Sequence, residues 1–367
     1  MKLKFRLLIL PILMLVFAGC GKEDDDVTTT TTAPYHSMDM TTEDGKVTQL
    51  QEHKIGKGVP IVIMGDGFLD RDIKGGKYRR ATTSALDALF SVYPMNALRD
   101  YFDVYEVTAV SYNDYSDHSS SWLRTAFSVR ITNSSSPNVI SATIKNGNDN
   151  KVVEYAKKAI GEERIDDATI VVLVNDDDMA GLCSFVSGFT YSDIPTGCAI
   201  AYGTLAGITS AYGYDISRTS FAQTLLHEFG HAFGKFADEY ARDDNTWITI
   251  DMKDYIREMQ SYGYYRNVSL SDDVKKTPWA DFAADSRYEF ERLGCYEGAV
   301  HYPKGVYRAT ANSIMCGSGK FKVIHRSLIY KRCMNIAYGD SWKYDYEDFV
   351  AFDLERAKAM IEANSDI

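Results

Sequence analysis

The sequence predicts a mixed α/β fold in two lobes, a sheet-bearing N-terminal lobe and an irregular C-terminal lobe, with a cleft between them. Three observations carry this. Apolar strand segments alternate with helical segments in a β-α-β-α-β order over the N-terminal half, the pattern of a mixed or mainly parallel sheet with helices packed on it. An apolar-striped helix follows and carries two histidines near its end. Beyond it the chain is rich in Tyr, Gly and Asp and shows few clear strands.

The elements follow in order. Val59 to Met64 is an unbroken apolar run, a buried strand that Gly65-Asp66-Gly67 ends. Thr83 to Tyr93 has helical spacing, with Leu86, Leu89, Phe90 and Tyr93 on one side. Tyr101 to Val110 alternates as a strand does. Asn150 to Ile160 reads as a helix stopped by Gly161. Ala168 to Val174 is a second, almost wholly apolar strand, broken by Asn175 to Asp178. Ser217 or Thr219 offers a hydroxyl to cap the next helix. Phe221, Leu225, Phe229, Ala232 and Phe233 give that helix a buried stripe, and Gly234 is the first place for it to stop or bend. A last amphipathic helix runs from about Tyr346 to Ala363, and no internal repeat is present. The lobes divide at residues 51–236 and 237–367.

The ends read differently. Residues 1–19 combine a basic start (Lys2, Lys4, Arg6) with the apolar run Leu7 to Phe17, a secretory leader too short to span a bilayer, which takes about 20 residues. Ala18-Gly19-Cys20 resembles a bacterial lipobox, which implies lipidation at Cys20. The Lys22-Glu23-Asp24-Asp25-Asp26 run behind it resembles the surface-export signal of outer-membrane lipoproteins. The expected location is therefore the bacterial outer membrane, exposed at the cell surface and held by the lipid anchor only. Residues 20–50 form an acidic, Thr-rich tether, disordered from Gly21 to about Asp44.

Losing the leader's three cations takes the net charge from −11 to −14. Such a chain has no basic patch for anionic lipid and is a poor partner for nucleic acid. Five cysteines remain beside Cys20: Cys183, Cys198, Cys295, Cys316 and Cys333. The oxidising compartment allows at most two disulfides and a spare thiol. Cys183 with Cys198 would close a short loop, and the last three compete for a second bridge.

The chemistry concentrates in His227-Glu228-Phe229-Gly230-His231, which reads H-E-x-x-H. Four residues along a helix place the two imidazoles about 40° apart and about 6 Å along the axis. Both can meet one zinc ion at about 2.0–2.1 Å. Glu228 projects about 100° away, beside the ion, where it can act as a general base on water. A catalytic zinc takes three protein ligands and keeps one open position. Metzincins draw the third from six residues past the second histidine, after a glycine. Gly234 fits, but the sixth residue is Ala237, which cannot ligate. Asp238 is the favoured third ligand, Glu239 the second choice, and a C-terminal carboxylate such as Glu289 or Glu297 the third. Asp238 and Glu239 could instead bond the histidines' other nitrogens. Ser313-Ile314-Met315 resembles the metzincin Met-turn. His301 and His325 read as structural or exposed, Asp176 to Asp178 as a solvated turn with calcium as its alternative.

The longer stretch from His227 to Tyr240 resembles the extended signature of the IgA-peptidase family of zinc metallopeptidases. Ile61 to Phe68, Val172 to Asp176, Cys295 to Ala299 and Gly305 to Arg308 resemble the same family, in its order, so the resemblance spans about Ile55 to Met334. It implies a metzincin-like fold, His227 and His231 as ligands, Glu228 as acid/base and Asp238 as third ligand. Asp177-Asp178-Met179 departs from it, since relatives tend to carry glycines there. The expected activity is zinc-dependent endopeptidase cleavage of extracellular proteins or glycoproteins, with an extended substrate paired to an edge strand. A binding lipoprotein with a structural metal and a glycopeptide-directed enzyme are the alternatives.

Overall fold

The computed structural model describes residues 36–116, 123–133, 142–145, 147–186, 197–208, 216–242, 246–317 and 319–365. The leader, Cys20 and the Thr-rich spacer lie outside the described residues.

The N-terminal half provides strands β1 (Val47–Gln51), β2 (Val59–Asp66), β3 (Phe102–Val107), β4 (Arg130–Asn133), β5 (Ala142–Lys145), β6 (Thr169–Val174), β7 (Gly181–Phe185) and β8 (Ala199–Thr204). Six of them form one mixed sheet in the order β1-β3-β2-β6-β8-β7, and β4 and β5 pair with each other. β3, β2, β6 and β8 are parallel, while β1 and β7 run antiparallel at the two edges. Every residue of β2 and β6 is buried. Their apolar runs are what a sheet covered on both faces requires.

Alternate residues serve the two faces. Ile61, Ile63, Val171 and Leu173 face one side with the helices α2 (Lys77–Leu89, behind the short α1, Asp70–Lys74) and α5 (Ser220–Ala232). Val62, Met64, Ile170 and Val172 face the other with Phe127 and the helix α4 (Asp149–Ile160), while the short α3 (Met95–Leu98), which follows α2 in the chain, packs on the first side. α2 starts at Lys77 rather than near Thr83, because Gly76 turns the chain with φ +75° and Tyr78, Ala81 and Thr82 extend the buried face.

Residues 36–50 were expected to continue the tether and instead belong to the fold. Ser37 is buried and its hydroxyl donates to Ser111 O at 2.6 Å. Asp44 accepts from Val110 N at 2.9 Å and from Tyr155 OH at 2.6 Å. β1 then pairs along β3. A polar segment carries little burial signal, but β3 would otherwise expose a row of unpaired backbone groups, and β1 covers it.

The C-terminal part is more regular than its composition suggests. α6 (Ile250–Ser261), β9 (Val268–Ser269), α7 (Ala280–Ala284), β10 (Tyr296–Ala299), β11 (Tyr302–Arg308), α8 (Val323–Tyr338) and α9 (Tyr346–Ser365) follow, and β10-β11-β9 form a small antiparallel sheet. α8 lacks a clean apolar stripe because it is buried on several sides. Its Arg326 is fully buried against Asp353 at 2.7 Å and Glu291 at 2.7 Å, and its His325 against Glu239 at 2.9 Å. Ile329 and Cys333 of α8 share one apolar core with Val59 of β2 and Phe221 of α5. The expected lobe boundary at 236/237 therefore does not divide this core.

Among the described residues no helix is long and apolar enough to cross a membrane. The five cysteines from Cys183 on are free. The short loop that a Cys183–Cys198 bridge would close does not form, because Cys183 pairs opposite Ala201 and packs on the α5 side of the sheet, whereas Cys198 is buried on the α4 side.

Candidate metal centre

The two histidines inherit their position from α5. Thr219, not Ser217, caps the helix, its hydroxyl accepting from Ala222 N at 3.1 Å. Such a cap contributes about 1 kcal/mol. Phe221, Leu225, Phe229 and Ala232 are buried beneath it, each Leu or Phe contributing about 1.5–3 kcal/mol. Phe233 closes the helix, and the chain reverses at Lys235, whose φ is +58°. Gly234 is required for another reason. A Cβ there would lie 2.6 Å from Phe236 Cε1, and Phe236 folds back under the helix.

That reversal orients the imidazoles. His231 Nδ1 donates to Phe236 O at 2.7 Å, and His227 Nδ1 donates to Ile314 O at 3.0 Å. With both Nδ1 atoms committed to carbonyls, both Nε2 atoms present lone pairs. The two Nε2 atoms lie 3.1 Å apart, and Asp238 Oδ1 sits 3.1 Å from one and 3.2 Å from the other. Three lone-pair donors this close repel one another unless a cation sits among them. For arms of about 2.0–2.1 Å, a tetrahedral site has edges of about 3.3 Å, close to this triangle. Among the described residues, His227, His231 and Asp238 are the group whose ligand atoms could hold a metal ion.

Of the four carboxylates considered for the third position, the structure brings Asp238 to the histidines. Glu239 points elsewhere, bonding His325 at 2.9 Å, Ser313 and Asn267. Glu297 bonds Lys304 at 2.8 Å, and Glu289 is exposed on the turn before Glu291. In the Asp176 to Asp178 run, Asp176 Oδ1 accepts from Asp178 N at 2.8 Å, a local turn. Ser313 to Met315 passes directly beneath the pair. Met315 is fully buried, and a Cβ on Gly230 would lie 2.7 Å from its Sδ.

His301 is the residue that sequence reasoning missed. Its Nε2 lies 3.0 Å from Asp238 Oδ2 and 3.1 Å from the Tyr240 hydroxyl. Val300 and His301 form the two-residue turn between β10 and β11, with φ of +50° and +66°. Asn-Gly is the usual choice for such a turn, and a β-branched residue there is strained by about 1–3 kcal/mol. No spacing rule connects residue 301 to residue 238. The positive-φ turn that does so is disguised by Val-His. His325, by contrast, is structural, as expected.

Glu228 is buried against β7, where a Cβ on Gly181 would lie 2.8 Å from its Cγ. Burial pushes its carboxyl above the usual range, against the pull of His231 and His227. Burial also opposes ionisation of Asp238, but the histidines that surround it outweigh burial and hold its carboxyl well below the usual range. One carboxylate beside the histidines is thus fixed as an anion, while the other is poised to take a proton. A cavity of about 260 Å³ opens beside this centre, lined by His231, Asp238, Met252, Tyr255, Tyr265 and His301 among others. No model of a known protein family matches the chain, and no curated protein matches it.

Proposed function

We propose that the chain is a zinc-dependent endopeptidase that cleaves extracellular proteins or glycoproteins. The observation that carries the proposal is the triangle of His227 Nε2, His231 Nε2 and Asp238 Oδ1, with the buried Glu228 carboxylate on the same helix. The donor set is two imidazoles and one carboxylate, and it suits zinc in a site with an open position. When bound, zinc would supply the Lewis acidity that polarises a carbonyl and acidifies water.

The chain's own residues supply the rest. Phe236 O and Ile314 O hold the imidazole rings with their free nitrogens inward. Glu228 accepts the proton of the attacking water and passes it to the leaving amine, and its raised pKa suits both steps. β7, the antiparallel outer strand beside Glu228, offers an edge on which an extended substrate can pair. The neighbouring aromatic cavity suits one apolar side chain of that substrate. The buried Met315 beneath the histidines supports a metzincin-like relationship, and with the long signature it supports membership of the IgA-peptidase family. The leader and Cys20 support a lipid-anchored protein on the bacterial surface.

The test is to measure metal content and peptide cleavage together. The wild-type chain should bind one zinc and cut a broad peptide mixture internally. Glu228→Gln should keep the zinc and lose cleavage by about 10²–10⁴-fold. Zinc bound without cleavage by the wild type would favour a binding lipoprotein. Undiminished cleavage by Glu228→Gln would refute the base.

A further inference from the structure

A larger cavity, about 500 Å³, shares no lining residue with the one beside Asp238. One stripe of α8 forms a wall, with Ile324 and Leu328 towards its start and Lys331, Arg332 and Asn335 towards its end. Lys235 and Arg266 face the same space, Phe282 extends the apolar end, and among the described residues no Asp or Glu lines it.

Lys235 is buried, Lys331 and Arg332 are half-buried and Arg266 is exposed, and among the described residues none of the four is paired with a carboxylate. Lys235 Nζ and Arg332 Nη2 both donate to one neutral carbonyl, Gly197 O, at 2.8 and 2.7 Å. Arg332 Nε is buried with no acceptor. Lys235 lies 5.3 Å from the ring centres of Phe185 and Tyr264, and Lys331 lies 3.7 Å from that of Tyr344. Ring faces offset a cation only in part. Burial, and then the Arg332 charge, hold the Lys235 amine well below its usual range, while burial and Arg266 lower Lys331. Two turns earlier on the same helix, buried Arg326 has both Asp353 and Glu291. Arg326 is thus paired directly with two acids, whereas among the described residues no acid is paired directly with the next cationic patch on the helix. A cluster of like charges round a cavity, with a donor that nothing accepts, is complementary to a multivalent anion.

We propose that this cavity binds a small organic phosphate monoester, its phosphate among Lys235, Arg266, Lys331 and Arg332 and its apolar body against Phe282, Ile324 and Leu328. The volume suits a ligand of that size. The proposal does not depend on the peptidase reading.

The experiment is calorimetric titration with phenyl phosphate, inorganic phosphate and benzoate. It uses the chain carrying His227→Ala and His231→Ala, so that no metal centre competes for phosphate. Phenyl phosphate should bind tightest, since inorganic phosphate lacks the ring and benzoate the second charge. Arg332→Gln and Arg266→Gln should each weaken it about tenfold or more. Arg266 is exposed, so its variant retains the fold even where Arg332→Gln does not. Absence of binding at millimolar phenyl phosphate, equal binding of benzoate, or binding indifferent to Arg266→Gln would each overturn the assignment.

Discussion

Gly181→Ala probes the proposed base, Glu228, without replacing it or any of the proposed metal ligands. Gly181 begins β7, and its φ is one that alanine adopts freely. The added Cβ would sit 2.8 Å from Glu228 Cγ and 2.9 Å from its Cδ, with Oε1 closer still. Ordinary contact begins at 3.4 Å, so the carboxylate must retreat by more than half an ångström. A catalytic group misplaced by 1 Å costs about 10²-fold in rate, so kcat should fall by about 10–100-fold. The three atoms nearest the new methyl all belong to Glu228 and none to His227, His231 or Asp238, so zinc stoichiometry and affinity should not change. The thermal midpoint should move little, because the displaced atoms end a flexible side chain. The assay compares kcat, zinc content and thermal midpoint for wild type, Gly181→Ala and Glu228→Gln. A Gly181→Ala enzyme with native zinc content and native kcat would refute the placement of Glu228 as a base held against β7.

Three further outcomes follow from the packing. Arg326→Met strands Asp353 and Glu291 in the interior and should lower unfolding stability by about 3–5 kcal/mol, read from urea titration; replacing all three residues with apolar ones should restore most of it. His301→Gln removes the imidazole at Asp238 Oδ2 and should weaken zinc about 10–100-fold by competition with a chelator, with the fold retained; unchanged affinity would show that Asp238 is held without it. With Cys20 replaced by Ser, the chain, denatured without reductant, should react through five thiols, and finding three or fewer would mean that a disulfide closes despite the opposite faces of Cys183 and Cys198.

The parts of the fold legible in the sequence are those in which burial and period agree. β2 and β6 read correctly because both faces of the sheet are covered, and α5 because its stripe meets the sheet on one side. β7 and β8 were not read, since GLCSF and AIAYGT mix small and polar residues with no strong alternation. α8 escaped for the opposite reason. Internal ion pairs satisfy Arg326 and His325, so its polar residues do not mark a wet face. At the site, the helical spacing of His227 and His231 was legible because four residues make about one turn. His301 was not, because its approach depends on a hairpin whose turn residues do not advertise it.

The choice between Asp238 and Glu239 shows how the site is specified. A count along a straight helix could not decide it, since both acids lie past the end of α5. Backbone pairing decides it. Glu239 N donates to Met315 O at 2.8 Å on one side of the segment. On the other, Asp238 O accepts from Val300 N at 2.9 Å and Tyr240 O from His301 N at 3.0 Å. The segment is thus held like a central strand, in which successive side chains point to opposite faces. Asp238 and Tyr240 turn towards His227, His231 and His301, while Glu239 turns into the interior, to His325, Ser313 and Asn267. A slip of one residue would break both sets, placing Glu239 among the histidines and Tyr240 against His325, or Ala237 among the histidines and Asp238 against His325. The two acid–histidine sets therefore fix each other's register. The proposed third ligand can stand seven residues after His231 because strand pairing, rather than distance along the chain, aims it.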